Sequence, residues 1–239
     1  TLKAKSVAII SADRKTITIT EDANGDAAND RQETIVTQVN GTVVDTVSRF
    51  NPDASLLSKA VTTTSATGLS VTTQVDENGD AVFDLTRTDV TVLGDDGGRT
   101  ETITDKNANN TVRDQIVTTT NATGLSTTVK TDRNGDGIFD LTTTSTTVLN
   151  ADGSRTTTVQ DKNANTSLRD LIITTTSANG LSTTRQTDLN GDGTVDRILT
   201  DVVALNADGS RTETVTERNA GSGSLRSQTI TTTSADRRS

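Results

Sequence analysis

The chain has 239 residues, a net charge of −9 at pH 7, and no His, Cys, Met, Trp or Tyr. Those absences remove Cys–His and Ser–His nucleophilic catalysis and the usual ligands of zinc, haem and iron–sulfur centres. Acidity with only three Phe leaves neither phosphate attraction nor base stacking for a nucleic acid, and no apolar run is long enough to insert in a bilayer.

Apolar residues make up 30% of the chain, whereas threonine alone fills 52 positions. An ordinary globular domain carries more apolar mass, about 45–50% with glycine counted. The chemistry left is that of carboxylates, amides, hydroxyls and backbone carbonyls, which are ligands for hard cations.

The chain repeats itself. Residues 1–10 read as the end of one copy, and 11–64 as a divergent first full copy. Ser65-Ala66-Thr67-Gly68-Leu69-Ser70 opens the second (65–120), and its counterparts at Asn121 and Ser177 open the third (121–176) and fourth (177–233), a period of 56 residues. Residues 234–239 begin a further copy, and the chain starts without Met, so it reads as a segment of a longer array.

Each copy holds four punctuated segments. In the third, Leu125–Thr131 alternates up to an Asp/Asn/Gly loop, and Phe139–Leu149 follows. The turn Asn150-Ala151-Asp152-Gly153 leads to Arg155–Gln160, and a loop at 161–165 leads to Leu168–Thr176. Period-2 alternation, β-branched residues and Gly/Asn/Asp loops predict strands joined by hairpins, with no helix. The expected fold is all-β: tandem repeats of about four antiparallel strands, stacked as an elongated array, with propeller-like closure as the alternative. The core is thin, so burial is expected to come from packing on neighbouring repeats.

One loop recurs in register in every copy. The acidic positions 1, 5 and 9 and the Asn at position 3 are Asp22, Asp26, Asp30 and Asn24 in the first copy, and Asp76, Asp80, Asp84 and Asn78 in the second. They are Asp132, Asp136, Asp140 and Asn134 in the third, and Asp188, Asp192, Asp196 and Asn190 in the fourth. Backbone carbonyls at position 7 (Val82, Ile138, Thr194) add further oxygens. Calcium takes six to eight oxygens at about 2.3–2.6 Å, and three carboxylates exceed its charge by one. Position 6 is Gly137 or Gly193 in two copies but Ala27 or Ala81 in the others, where a positive φ costs about 1 kcal/mol. The competing reading is an Asx hairpin that uses these side chains for backbone geometry alone.

Positions 1–6 match the EF-hand pattern, but position 12 is Thr143 or Leu199 instead of Glu. The nine-residue loop resembles that of integrin-alpha-type (FG-GAP) and bacterial VCBS-like repeats, a resemblance that implies calcium held between the first two strands of a four-stranded unit. The whole repeat, with Leu-Asn-Ala-Asp-Gly-Ser-Arg-Thr at 149–156 and 205–212, resembles Thr-rich tandem repeats of very large secreted bacterial proteins of the adhesin or RTX-like class. That resemblance implies an extracellular or cell-surface structural segment and no enzyme. Its partners are neighbouring repeats, with self-association into fibres through strand edges as a further route. A ligand-binding propeller-like domain is the alternative function.

A second polar cluster joins Asp105, Asn107, Asn109 and Asp114, and again Asp161, Asn163, Asn165 and Asp170. Its spacing fits either another cation site or a plain turn in which Arg113 and Arg169 pair with the adjacent Asp. Arg99, Arg155 and Arg211 read as solvated cross-strand charges.

Overall fold

The structure is a computed structural model that describes residues 4–235. It is all-β, with seventeen antiparallel strands and no helix among the described residues. The first copy and the strand before it supply β1 (Lys5–Ile10), β2 (Thr16–Asp22), β3 (Arg31–Thr37), β4 (Val43–Phe50) and β5 (Leu56–Thr64). The second supplies β6 (Ser70–Asp76), β7 (Leu85–Leu93), β8 (Arg99–Asn107) and β9 (Val112–Thr120). The third supplies β10 (Ser126–Asp132), β11 (Leu141–Leu149), β12 (Arg155–Asn163) and β13 (Leu168–Thr176). The fourth supplies β14 (Ser182–Asp188), β15 (Arg197–Leu205), β16 (Arg211–Asn219) and β17 (Leu225–Thr233).

Two units divide the chain. One comprises Thr1–Gly94, Arg99–Val117 and Asp132–Ile138, and the other Asp95–Gly98, Thr118–Thr131 and Phe139–Ser239. In the first, each strand from β1 to β8 hydrogen-bonds to its neighbours in the chain. In the second, the same holds from β10 to β17. The ladder does not stop at a repeat boundary: β5 pairs with β6 (Lys59 opposite Asp76) and β13 with β14 (Leu171 opposite Asp188). Propeller blades are separate sheets, so within each unit the repeats add edge to edge instead.

Packing on neighbours therefore takes a different form from the expected one. Within each unit every strand-to-strand contact joins chain neighbours, and no strand of the unit lies over another's face. Each unit is a single layer. No hydrophobic side chain among the described residues is buried; the buried ones are Asp22, Asp76, Thr104, Asp105, Asp132, Ser154, Asp188 and Thr216. A strand face with no second layer is covered only by its own cross-strand neighbours, which leaves even Ile172 and Ile173 half-exposed. Threonine suits that position. Its branched Cβ packs on the pleat, and its hydroxyl stays wet or bonds sideways, as between Thr147 and Thr157 (3.0 Å) and Thr156 and Thr175 (3.2 Å).

Hairpin ends follow the predicted chemistry. Asn150 N–H donates to the Ser154 carbonyl (2.8 Å), and Asp152 Oδ1 accepts from Ser154 N–H (2.9 Å) and its hydroxyl (2.7 Å). Pro52 sits in the Asn51–Ser55 turn, outside any ladder. The third segment of the copy is longer than its sequence suggests: β12 runs on to Asn163, past a bulge between Asp161 and Lys162. The divergent first copy is shorter, with seven residues in β3 against nine in β7, β11 and β15.

A face with no cover predicts a small packing term. Ile172→Ala should cost about 1 kcal/mol, against ~2–5 kcal/mol for a fully buried Ile. Urea unfolding followed by far-UV circular dichroism measures the difference.

Candidate functional site

The recurring loop connects the first and second strands of each copy. In the fourth copy, β14 ends at Asp188 and the chain turns back at Arg197. Asp188 is 1% exposed, and its carboxylate closes the loop from inside. Oδ1 accepts from the N–H groups of Gly191 (2.7 Å) and Asn190 (3.2 Å), and Oδ2 from Gly193 (2.8 Å). Asn190 Oδ1 accepts from Asp192 N–H (3.1 Å), Asp192 Oδ1 from Thr194 N–H (2.7 Å), and Asp196 Oδ2 from Leu189 N–H (2.8 Å). Alternate side chains thus accept from the loop's own N–H groups.

The other loops repeat the pattern. Asp76 (1% exposed) accepts from Gly79 (2.7 Å) and Ala81 (3.0 Å), and Asp22 from Gly25 (2.6 Å) and Ala27 (2.9 Å). Asn78 and Asn24 accept from the N–H groups of Asp80 and Asp26, which accept from those of Val82 and Ala28. Asp84 and Asp30 close back on Glu77 and Ala23. In the third copy Asp132 accepts from Gly135 (2.8 Å) and Gly137 (2.9 Å), Asn134 from Asp136 N–H, and Asp136 from Ile138 N–H (2.7 Å). The Asp140 N–H donates to the Thr131 carbonyl (2.8 Å).

Burial pushes the Asp132 carboxyl up, but the N–H groups of Gly137, Gly135 and Asn134 outweigh it and hold the carboxyl below its ordinary value. The loop oxygens form the all-oxygen donor set that a hard cation takes. As placed, no three acidic side chains converge on one point among the described residues. Their lone pairs face loop N–H groups, the Asx geometry that competes with a cation reading. A carboxylate has about four acceptor sites, so these bonds do not exhaust it.

Glycine at position 4 has a role that no local pattern shows. Gly191 (φ 71°) lies against the start of β13, where a Cβ would collide with the Leu168 carbonyl oxygen. Gly79 lies the same way on Leu56 and Gly135 on Val112. The loops of the second, third and fourth copies therefore seat on the last strand of the preceding copy. Position 6 has positive φ in every copy, as expected: 76° at Ala27, 69° at Ala81, and 85° at Gly137 and Gly193. Open space surrounds Gly137 and Gly193, so only backbone strain separates Ala from Gly there.

The second polar cluster forms a strand end and a turn. Asn109 Oδ1 accepts from the Thr111 N–H and hydroxyl, and Asn165 does the same for Ser167. The expected ion pairs form: Arg113 Nε is 3.0 Å from Asp114, and Arg169 Nε 3.8 Å from Asp170. Sequence spacing did not reveal that Asp105 is buried and flanked by Arg87 (3.7 Å) and Arg113 (3.3 Å), because Arg87 comes from the strand before. In the next copy Thr143 replaces that arginine and donates its hydroxyl to Asp161. Asp170, directly opposite Asp161, is pushed above its ordinary value by burial and by the Asp161 charge. Arg99, Arg155 and Arg211 are exposed, and Arg211 reaches Glu213 (3.3 Å).

No protein-family model matches the chain, and no curated protein does.

Gly191→Ala should destabilise the fourth copy by ~2–4 kcal/mol through αL strain and the lost seat on Leu168. Ala81→Gly should stabilise the second by ~0.5–1 kcal/mol, the relief of αL strain less the entropy of glycine; urea melts of both variants check this. The raised Asp170 carboxyl makes its ionised form a burden on the fold. That burden grows as pH rises from the unfolded carboxyl range through the folded value, then stays constant. Asp170→Asn should therefore raise the melting temperature at about pH 7 and leave it unchanged at about pH 3.

Proposed function

We propose that the chain is a structural tandem-repeat segment, a stalk, fibre or spacer of a large extracellular bacterial protein, whose four acidic loops take up calcium. The observation that carries this reading is the ladder that continues from the first copy to the second and from the third to the fourth, with the loops of the second, third and fourth copies seated on the last strand of the copy before. A loop at that seam links ion binding to the junction between repeats. The same carboxylates recur in equivalent loops, whereas a catalytic pair is unique to one place. Neighbouring repeats are then the principal partners. Nucleic acid is disfavoured by the net charge of −9. A propeller-like ligand-binding domain gains no support from a sheet that continues across repeat boundaries.

The loops close through hydrogen bonds from their own N–H groups to their carboxylate and Asn oxygens, so calcium adds to a fold already formed. An ion that binds only the folded loops contributes about 2.7 kcal/mol per site at one hundred times its dissociation constant. The test is a thermal melt by far-UV circular dichroism with ~5 mM calcium and then with chelator, at the millimolar level of extracellular sites. The expected result is a higher melting temperature with calcium, reduced when Asp192 and Asp196 are both changed to Asn. An unchanged melt would reduce the loops to Asx hairpins.

A further inference from the structure

The register of the ladder sorts the side chains of each unit onto two unlike faces. Alternate residues of a strand point to opposite faces, and residues paired across strands share one. In the second unit Val148, Thr156, Thr175, Thr184, Thr200 and Thr216 stand opposite one another in turn along β11 to β16. Two residues further along, the same face carries Thr146, Thr158, Ile173, Gln186 and Ile198. The first unit matches it with Val44, Thr63, Thr72, Thr88 and Thr104 on β4 to β8, beside Thr46, Val61, Gln74 and Thr86.

Charge lies on the other face. Asp161, Arg185, Arg197, Asp201 and Glu217 stand there in the second unit, and Arg31, Glu33, Asp45, Arg87 and Asp105 in the first. Ion pairs run across it, as between Arg197 and Glu217 (3.6 Å), Arg31 and Glu33 (2.7 Å), and Arg87 and Asp105 (3.7 Å). On the threonine face, among the described residues, charge keeps to the border beside the acidic loops, as at Lys59, Lys106, Lys130, Lys162 and Arg218.

A face of that kind can be covered by its own like. Its aliphatic side chains are open to solvent, with Val148 53% and Val92 60% exposed. Its hydroxyls already bond sideways within the sheet: Thr156 with Thr175 (3.2 Å), Asn150 Nδ2 to Thr156 (3.1 Å) and Gln115 Nε2 to Thr104 (2.9 Å). Covering them strands few polar groups, whereas covering the other face would desolvate its ions. Seven strands, β10 to β16, of seven to nine residues present about 34 by 25 Å, or ~850 Å². A stable pairing needs about 800 Å² from each partner.

We propose that the uncharged face of each unit is a self-association surface, and that its occupant is the same face of a second copy of this chain, packed sheet on sheet about 10 Å apart. The contact is isologous. It uses strands inside the ladder, already paired on both edges. It needs no calcium, so its outcome is independent of the function proposed above.

Sedimentation velocity over a concentration series in chelator tests it. The expected result is a reversible self-association that grows with concentration and persists in ~1 M sodium chloride, where the screening length falls to about 3 Å. The double variant Thr72→Lys/Thr184→Lys sets one charge on the uncharged face of each unit and should abolish the association with the far-UV spectrum unchanged. Thr73→Lys/Thr183→Lys sets the same charges on the opposite face of the same strands and should leave it intact. If the first pair folds poorly, Thr184→Lys alone should weaken the association and Thr183→Lys alone should not. A monomer at every concentration, association lost in high salt, association retained in Thr72→Lys/Thr184→Lys, or equal loss in both double variants would overturn the proposal.

Discussion

Everything in this protein rests on backbone hydrogen bonds between strands adjacent in the chain. Within each unit no second layer covers the sheet, so hydrophobic burial cannot dominate as it does in most domains. The ladder must therefore be continuous, and its hairpins must hold register without a core to correct a slip. That explains the strictness of the turn chemistry, with Asp152, Asn109 and Asn165 each fixing one turn through a side-chain oxygen. Contacts are local in sequence, which keeps the loop-closure entropy of each added strand small.

The same constraint explains which side chains are buried. With no dry interior, the most protected places are the interiors of the acidic loops, and a carboxylate fits there because it meets several N–H groups at once. Asp76 and Asp188 are the most buried side chains of the described residues, and each accepts from three loop N–H groups. Such a loop is preformed. The seats of Gly79, Gly135 and Gly191 on the preceding strand connect these loops to the seam between repeats.

Differences between copies show where the repeat tolerates change. Asp105 lies between two arginines, whereas Asp161, its counterpart, has Thr143 and a second acid opposite. An exposed single layer accepts such exchanges, since solvent screens what a core would not. The position-4 glycines and the position-1 aspartates recur in every full copy because φ, the seat on the preceding strand and the closing of loop N–H groups leave few alternatives.

Much of this was legible from residue order alone. Alternation and turn residues placed the strands, with β13 at the predicted bounds and β12 longer because an Asp-Lys-Asn stretch read as loop continues the strand opposite a bulge at Arg169 of β13. Positive φ at Ala27 and Ala81 followed from their place in the loop. These are local properties: period, φ preference and Asx bonding act over a few residues. The tertiary structure decided the rest. Repeats join by edge pairing instead of layering, Gly191 abuts the Leu168 carbonyl, and Arg87 reaches Asp105 across a strand. Alternation with thin apolar content is compatible with one layer or two. Only the pairing of strands in space decides which, because it sets what lies opposite each face.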